Sequence, residues 1–97
     1  MAYHVGDVTS VVMTPLPFAI TGATLTVYVL KPDGTTLVTR SGADVSIIDG
    51  ATGQYSWSAK AGDLSAAGQY IVQAKTVVGG VTRYGDPEIV VVDGVLA

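Results

Sequence analysis

Hydrophobic and polar positions alternate along most of this chain, and a period of two predicts strands rather than helices. Over residues 24–31, Leu25, Val27 and Val29 share one face while Thr24, Thr26 and Tyr28 share the other. Over residues 54–59 the inward set is Tyr55, Trp57 and Ala59, and the outward set is Gln54, Ser56 and Ser58. Residues 70–77 repeat the pattern with Tyr70, Val72 and Ala74 on one face. Residues 8–13 are apolar and β-branched, but Val8 and Val12 point one way and Val11 and Met13 the other, so their buried face is ambiguous. Shorter strands are expected at 35–40, 45–48, 81–84 and 88–92.

Turn chemistry separates these runs. In Lys31-Pro32-Asp33-Gly34, proline presets φ and glycine takes the position that needs φ > 0, which predicts a hairpin between the strands on either side. Gly79-Gly80 predicts a second, tight hairpin. Asp49-Gly50-Ala51-Thr52-Gly53 turns the chain, and Gly85-Asp86-Pro87 kinks it before the last strand. Residues 59–67 form the only candidate helix, limited to about one turn by Gly62 and Gly68, with Asp63 as its expected cap. Thr14-Pro15-Leu16-Pro17-Phe18 cannot be regular structure, because two prolines at alternate positions remove donors. The fold expected is all-β: an immunoglobulin-like antiparallel β sandwich of about seven strands with at most one short helical turn. A small barrel is the alternative.

Length and composition narrow the picture. Ninety-seven residues suit one domain over 1–97, and Gly79-Gly80 is too short to act as a linker. The chain is 48% hydrophobic and 13% charged, against roughly 25% charged in ordinary globular chains. A surface this poor in charge is covered by Thr, Ser, Gly and backbone, or by a partner. The net charge of −3 and the scattering of Lys31, Arg40, Lys60, Lys75 and Arg83 argue against nucleic acid. With no cysteine, disulfides and thiolate metal sites are excluded, which favours folding in a reducing cytoplasm. The first residues lack the basic start and apolar run of a signal peptide, and the initial Met is that expected of a complete gene product. The apolar run 89–92 is too short to span a bilayer.

Candidate chemistry is sparse. His4 is the only histidine and lies near the start of the chain, so a catalytic triad has no base elsewhere. No P-loop, dinucleotide fingerprint, nucleophile elbow or metalloprotease motif is present. Most carboxylates sit beside Gly or Pro, where Asp bonds local backbone. Asp86 and Glu88 are the nearest pair that calcium could use, and turn chemistry accounts for them better. No catalytic, cofactor or metal residue is therefore assigned. Trp57 is read as core rather than as a platform for a sugar ring, which would need exposed neighbouring aromatics. Tyr55, Tyr70 and Val72 join it in the expected core. Tyr70 follows a glycine-bearing corner in the manner of the tyrosine corner, with Val72 where antibody domains place a cysteine.

Two stretches are candidate interfaces. Met13, Pro15, Leu16, Pro17 and Phe18 form an apolar, proline-ordered segment that reads slightly better as core than as a docking patch. Residues 88–92 form a nearly uncharged strand, with Ile89 and Val91 as its candidate contacts. A bare edge is either hidden or built for pairing with another chain.

The order of signals carries a family resemblance. Gly6-Asp7, then Ile20-Thr21-Gly22-Ala23 before a strand, the Asp-Gly turns, Gly53-Gln54-Tyr55, Gly62-Asp63-Leu64 and Gly68-Gln69-Tyr70 follow one another over nearly the whole chain. Together they resemble the N-terminal immunoglobulin-like domain of tailed-phage baseplate upper proteins and related small phage proteins. The resemblance implies a non-enzymatic virion protein, made in the host cytoplasm, whose partners are other virion proteins in a homo- or hetero-oligomeric assembly. The chain departs from the pattern by ending after its last strand, without the long C-terminal region of baseplate upper proteins. Decoration of a head, neck or tail is thus implied equally with a baseplate role. A carbohydrate-binding or adhesion sandwich is the alternative, discriminated by whether Trp57 and the tyrosines are exposed together. Neither membrane nor nucleic acid is an expected partner.

Overall fold

A computed structural model describes residues 3–94. The strands are β1 (Tyr3–His4), β2 (Thr9–Val12), β3 (Thr24–Leu30), β4 (Leu37–Ser41), β5 (Val45–Asp49), β6 (Gln54–Ala59), β7 (Gly68–Val78), β8 (Val81–Tyr84) and β9 (Glu88–Asp93). They form two layers. The larger sheet runs β1-β9-β7-β3-β4, with β8 also paired to β7, and the smaller runs β2-β6-β5. This is an immunoglobulin-like sandwich, in which the chain changes layer between β1 and β2, β2 and β3, β4 and β5, and β6 and β7. The pairing is antiparallel except between β1 and β9, which run parallel. One strand, Tyr3–His4, goes beyond the runs expected from alternation, and the Gly85-Asp86-Pro87 kink separates β8 from β9 as the sequence predicts.

The alternating faces carry the core. Leu25, Val27 and Val29 of β3, Tyr70, Val72 and Ala74 of β7, and Val90 and Val92 of β9 are buried. Val11 of β2 and Tyr55, Trp57 and Ala59 of β6 are buried on the facing sheet. The ambiguous run around β2 resolves through its register: Val11 pairs with Trp57 and is buried, whereas Val8 and Val12 are exposed. Ser56, expected outward, is also buried. It sits on the central strand, flanked by Val12 and Ser46.

The predicted hairpins form. Asp33 accepts the Thr35 and Thr36 N–H groups at 2.9 and 2.8 Å and the Thr36 hydroxyl at 2.5 Å, which delays the start of β4 to Leu37. Gly79 and Gly80 both have positive φ, 55° and 80°, as the two-residue turn requires.

The stretch 59–67 is not helical, and Asp63 does not cap a helix. The only helical turn among the described residues is the 3-10 turn Gly42–Asp44. Side chains from elsewhere hold 60–67 instead. Lys31 Nζ donates to the Gly62 carbonyl at 2.7 Å and to Ser65 Oγ at 3.1 Å. Asp63 accepts the Lys60 N–H at 2.8 Å and pairs with Arg40. The Tyr70 hydroxyl donates to the Ala66 carbonyl at 2.7 Å and accepts its N–H at 3.2 Å, closing a tyrosine corner.

Candidate functional site

Three features on or near the surface can engage a partner: a cleft at one end of the sandwich, a groove along one side, and the outer face of the larger sheet. The loop after β2 builds the first. Leu16 donates its N–H to the Gly53 carbonyl at 2.9 Å, and Ile20 to the Gly50 carbonyl at 2.7 Å. The loop thus lies against the β5–β6 turn, and a side chain at Gly53 would stand 2.6 Å from the carbonyl oxygens of both Leu16 and Phe18. Met13 and Leu16 are buried, at 3% and 8% exposure, so these two candidate interface residues belong to the core. Leu16 packs against Gly85, and Trp57 Nε1 donates to Met13 Sδ at 3.4 Å. Pro15 and Pro17 remain exposed, and half-buried Phe18 lies under the Arg83 guanidinium, 4.0 Å from its ring centre.

Between this loop and the β8–β9 kink lies a cleft of about 320 Å³, lined by Pro15, Leu16 and Pro17 on one side and Asp86, Pro87 and Glu88 on the other, with Thr14 and Tyr55. Glu88 is not part of a turn, as the sequence suggested. It is an inward position of β9, paired with Val72, and it crosses the layers to Thr14. Thr14 donates its N–H to Oε2 at 3.3 Å and its hydroxyl to Oε1. Burial, and secondarily the Glu88 charge, push the Tyr55 hydroxyl from 10.0 up to about 12. A phenol held neutral and a fixed carboxylate thus share one cavity.

The groove runs between the edges of the two sheets, with a volume of about 490 Å³, from Tyr3, Val12, Met13 and Thr14 to Glu88, Ile89, Val90 and Val91. Here, among the described residues, β2 pairs only with β6, and β1 covers β9 only at Val92 and Asp93. Among the described residues, the remaining backbone along the β9 edge has no strand beside it.

The outer face of the larger sheet carries a pattern that the sequence alone does not reveal. Leu37, Leu30, Ile71 and Ile89 are cross-strand partners in one row over four adjacent strands. Leu37, Ile71 and Ile89 are exposed at 58%, 41% and 57%, and Val91 beside them at 47%. Tyr28, Leu30, Leu37, Ile71, Gln73 and Pro87 frame a shallow hollow of about 210 Å³ on this face. The outward positions around it, Thr39, Tyr28, Gln73 and Gln69, are uncharged. Ile89 and Val91 were legible as candidates from their bare strand. Leu30, Leu37 and Ile71 were not, because the register that aligns them joins strands distant in the chain.

The expected core residues sit inside: Tyr55, Trp57, Tyr70 and Val72 are each at most 2% exposed. Among the described residues, no group of three or more His, Asp or Glu side chains is placed to hold a metal ion. Among the described residues no helix is long and apolar enough to cross a membrane. Comparison with protein families, curated proteins and solved structures finds no match to this chain, so the reading of its function rests on its own residues.

Proposed function

We propose that this chain is a non-enzymatic structural module of a bacteriophage virion, an immunoglobulin-like unit that docks onto other virion proteins at the head, neck, tail or baseplate. The observation that carries the docking reading is the apolar row Leu37–Leu30–Ile71–Ile89, whose immediate outward neighbours Thr39, Tyr28, Gln73 and Gln69 are uncharged, with Lys75 and Asp93 further out on the same face. Contiguous exposed apolar surface rimmed by polar residues marks interaction sites. The incompletely covered β9 edge adds backbone groups that an extended partner segment can pair with. The phage assignment rests on the order of turn and strand signals along the sequence. A carbohydrate platform built from Trp57, Tyr55 and Tyr70 lacks support, since all three side chains are buried.

The test is light scattering with electron microscopy of the purified protein across concentration, alone and mixed with virion proteins. Ordered oligomers or co-assembly, abolished by Ile71→Lys with Ile89→Lys, are expected. A strict monomer that joins no virion protein would overturn the reading.

A further inference from the structure

The end cleft contains polar groups that folding alone leaves under-used. Of the inward positions of β9, Glu88, Val90 and Val92, only the first is charged, and it faces the cleft rather than water alone. Thr14 holds both carboxylate oxygens from one side, and each oxygen keeps a lone pair for a further donor. Tyr55 is 2% exposed and lines the same cavity. Its hydroxyl makes no hydrogen bond to another described residue, and burial first and the Glu88 charge second raise it to about 12. The hydroxyl opens onto the cavity and keeps its hydrogen-bonding capacity for a group placed there. Asp86 adds a second carboxylate at the rim, while Pro15, Leu16, Pro17 and Pro87 give apolar walls.

We propose that this cleft receives one basic side chain, a lysine or arginine, from a docking protein partner. Two carboxylates repel anions, and the apolar walls suit a methylene stem that ends in a charged head. The head donates to Glu88, to Asp86 and to the Tyr55 oxygen. The cleft shares Thr14 and Glu88 with the groove along the open β9 edge. An extended segment laid on that edge would bring a side chain to the cleft mouth, so the proposal rests on the docking reading and adds the residue type the partner supplies.

N-acetyl-arginine amide, which stays charged, probes the cleft without any partner. Titrated into the ¹⁵N-labelled protein, it should shift the amide signals of Thr14, Tyr55, Asp86 and Glu88. Its neutral isostere N-acetyl-citrulline amide should bind at least several-fold more weakly. Glu88→Gln should weaken arginine binding on the order of tenfold, the usual effect of removing a charged hydrogen-bond acceptor. Because Glu88 also holds Thr14, Asp86→Asn at the exposed rim serves as the second variant and should weaken binding several-fold with unchanged thermal stability. Shifts outside the cleft only, equal binding of the citrulline compound, or full affinity in both variants would overturn the proposal. Failure of assembly with intact arginine binding would count against docking and leave the cleft assignment standing.

Discussion

Trp57 is the largest fully buried side chain, and its indole N–H meets Met13 Sδ rather than water. It pairs in register with Val11 on one side and Val45 on the other. Truncation would leave a cavity at the middle of the smaller sheet. Trp57→Ala should cost about 3–5 kcal/mol, read as a lowered midpoint in urea unfolding. A loss under about 1 kcal/mol would place Trp57 outside the core. Tyr55 makes a prediction in pH. Burial first, and the Glu88 charge second, raise its hydroxyl from 10.0 to about 12. The folded value lies above the unfolded one, so the contribution of Tyr55 to stability is complete below pH 10 and is lost as pH rises through about 12. Alkaline unfolding followed by circular dichroism should show this loss, and Tyr55→Phe should remove its share of the pH dependence. The inward position of both aromatics was legible from alternation. The empty space in front of the Tyr55 hydroxyl was not, because the Pro15–Pro17 loop and the β8–β9 kink that enclose it lie about thirty residues or more to either side.

At the scale of elements, the β5–β6 turn and the loop after β2 act as one unit. Gly53 has φ +81°, and any side chain there would meet backbone, the carbonyl oxygens of Leu16 and Phe18. Gly53→Ala combines left-handed strain with a backbone clash and should cost at least about 2 kcal/mol. Chemical-shift changes in the mutant should spread to Leu16, Phe18 and Ile20; a confined local change would show that the loop does not depend on the turn. The sequence marks this turn plainly through Asp49, Gly50 and Gly53, yet not the loop that rests on it. The segment 60–67 teaches the converse. Local signals there permit a helical turn, but Lys31 from the turn after β3, Arg40 from β4 and Tyr70 from β7 reach it and occupy the groups a helix would use.

At the scale of the whole molecule, scarcity of charge and its placement act together. Lys31, Arg40 and Lys60 are engaged around the 60–67 segment, Lys60 through an ion pair with Asp44 at 3.0 Å. Arg83 lies over Phe18. On the outer face of the larger sheet Lys75 and Asp93 stand away from the row, which is apolar from Leu37 to Ile89. Its outermost members stabilise the free fold little, since Leu37 and Ile89 are more than half exposed. Ile89→Lys should therefore change unfolding free energy by no more than about 0.5 kcal/mol while reducing self-association or partner binding. A large loss of stability would show that the row serves the fold.

Features that depend on neighbours along the chain can be read without coordinates. Alternation set which side chains enter the core, turn residues placed the hairpins, and the corner before Tyr70 announced its hydroxyl bond to Ala66. Register between distant strands and packing between layers come from the folded molecule alone. It placed Met13 and Leu16 in the core, joined Glu88 to Thr14 across the sandwich, left the β9 edge open, and aligned Leu37, Leu30, Ile71 and Ile89 on one face. The physical reason is that a strand's period tells which residues share a face, while the partner strand and its offset decide which faces meet.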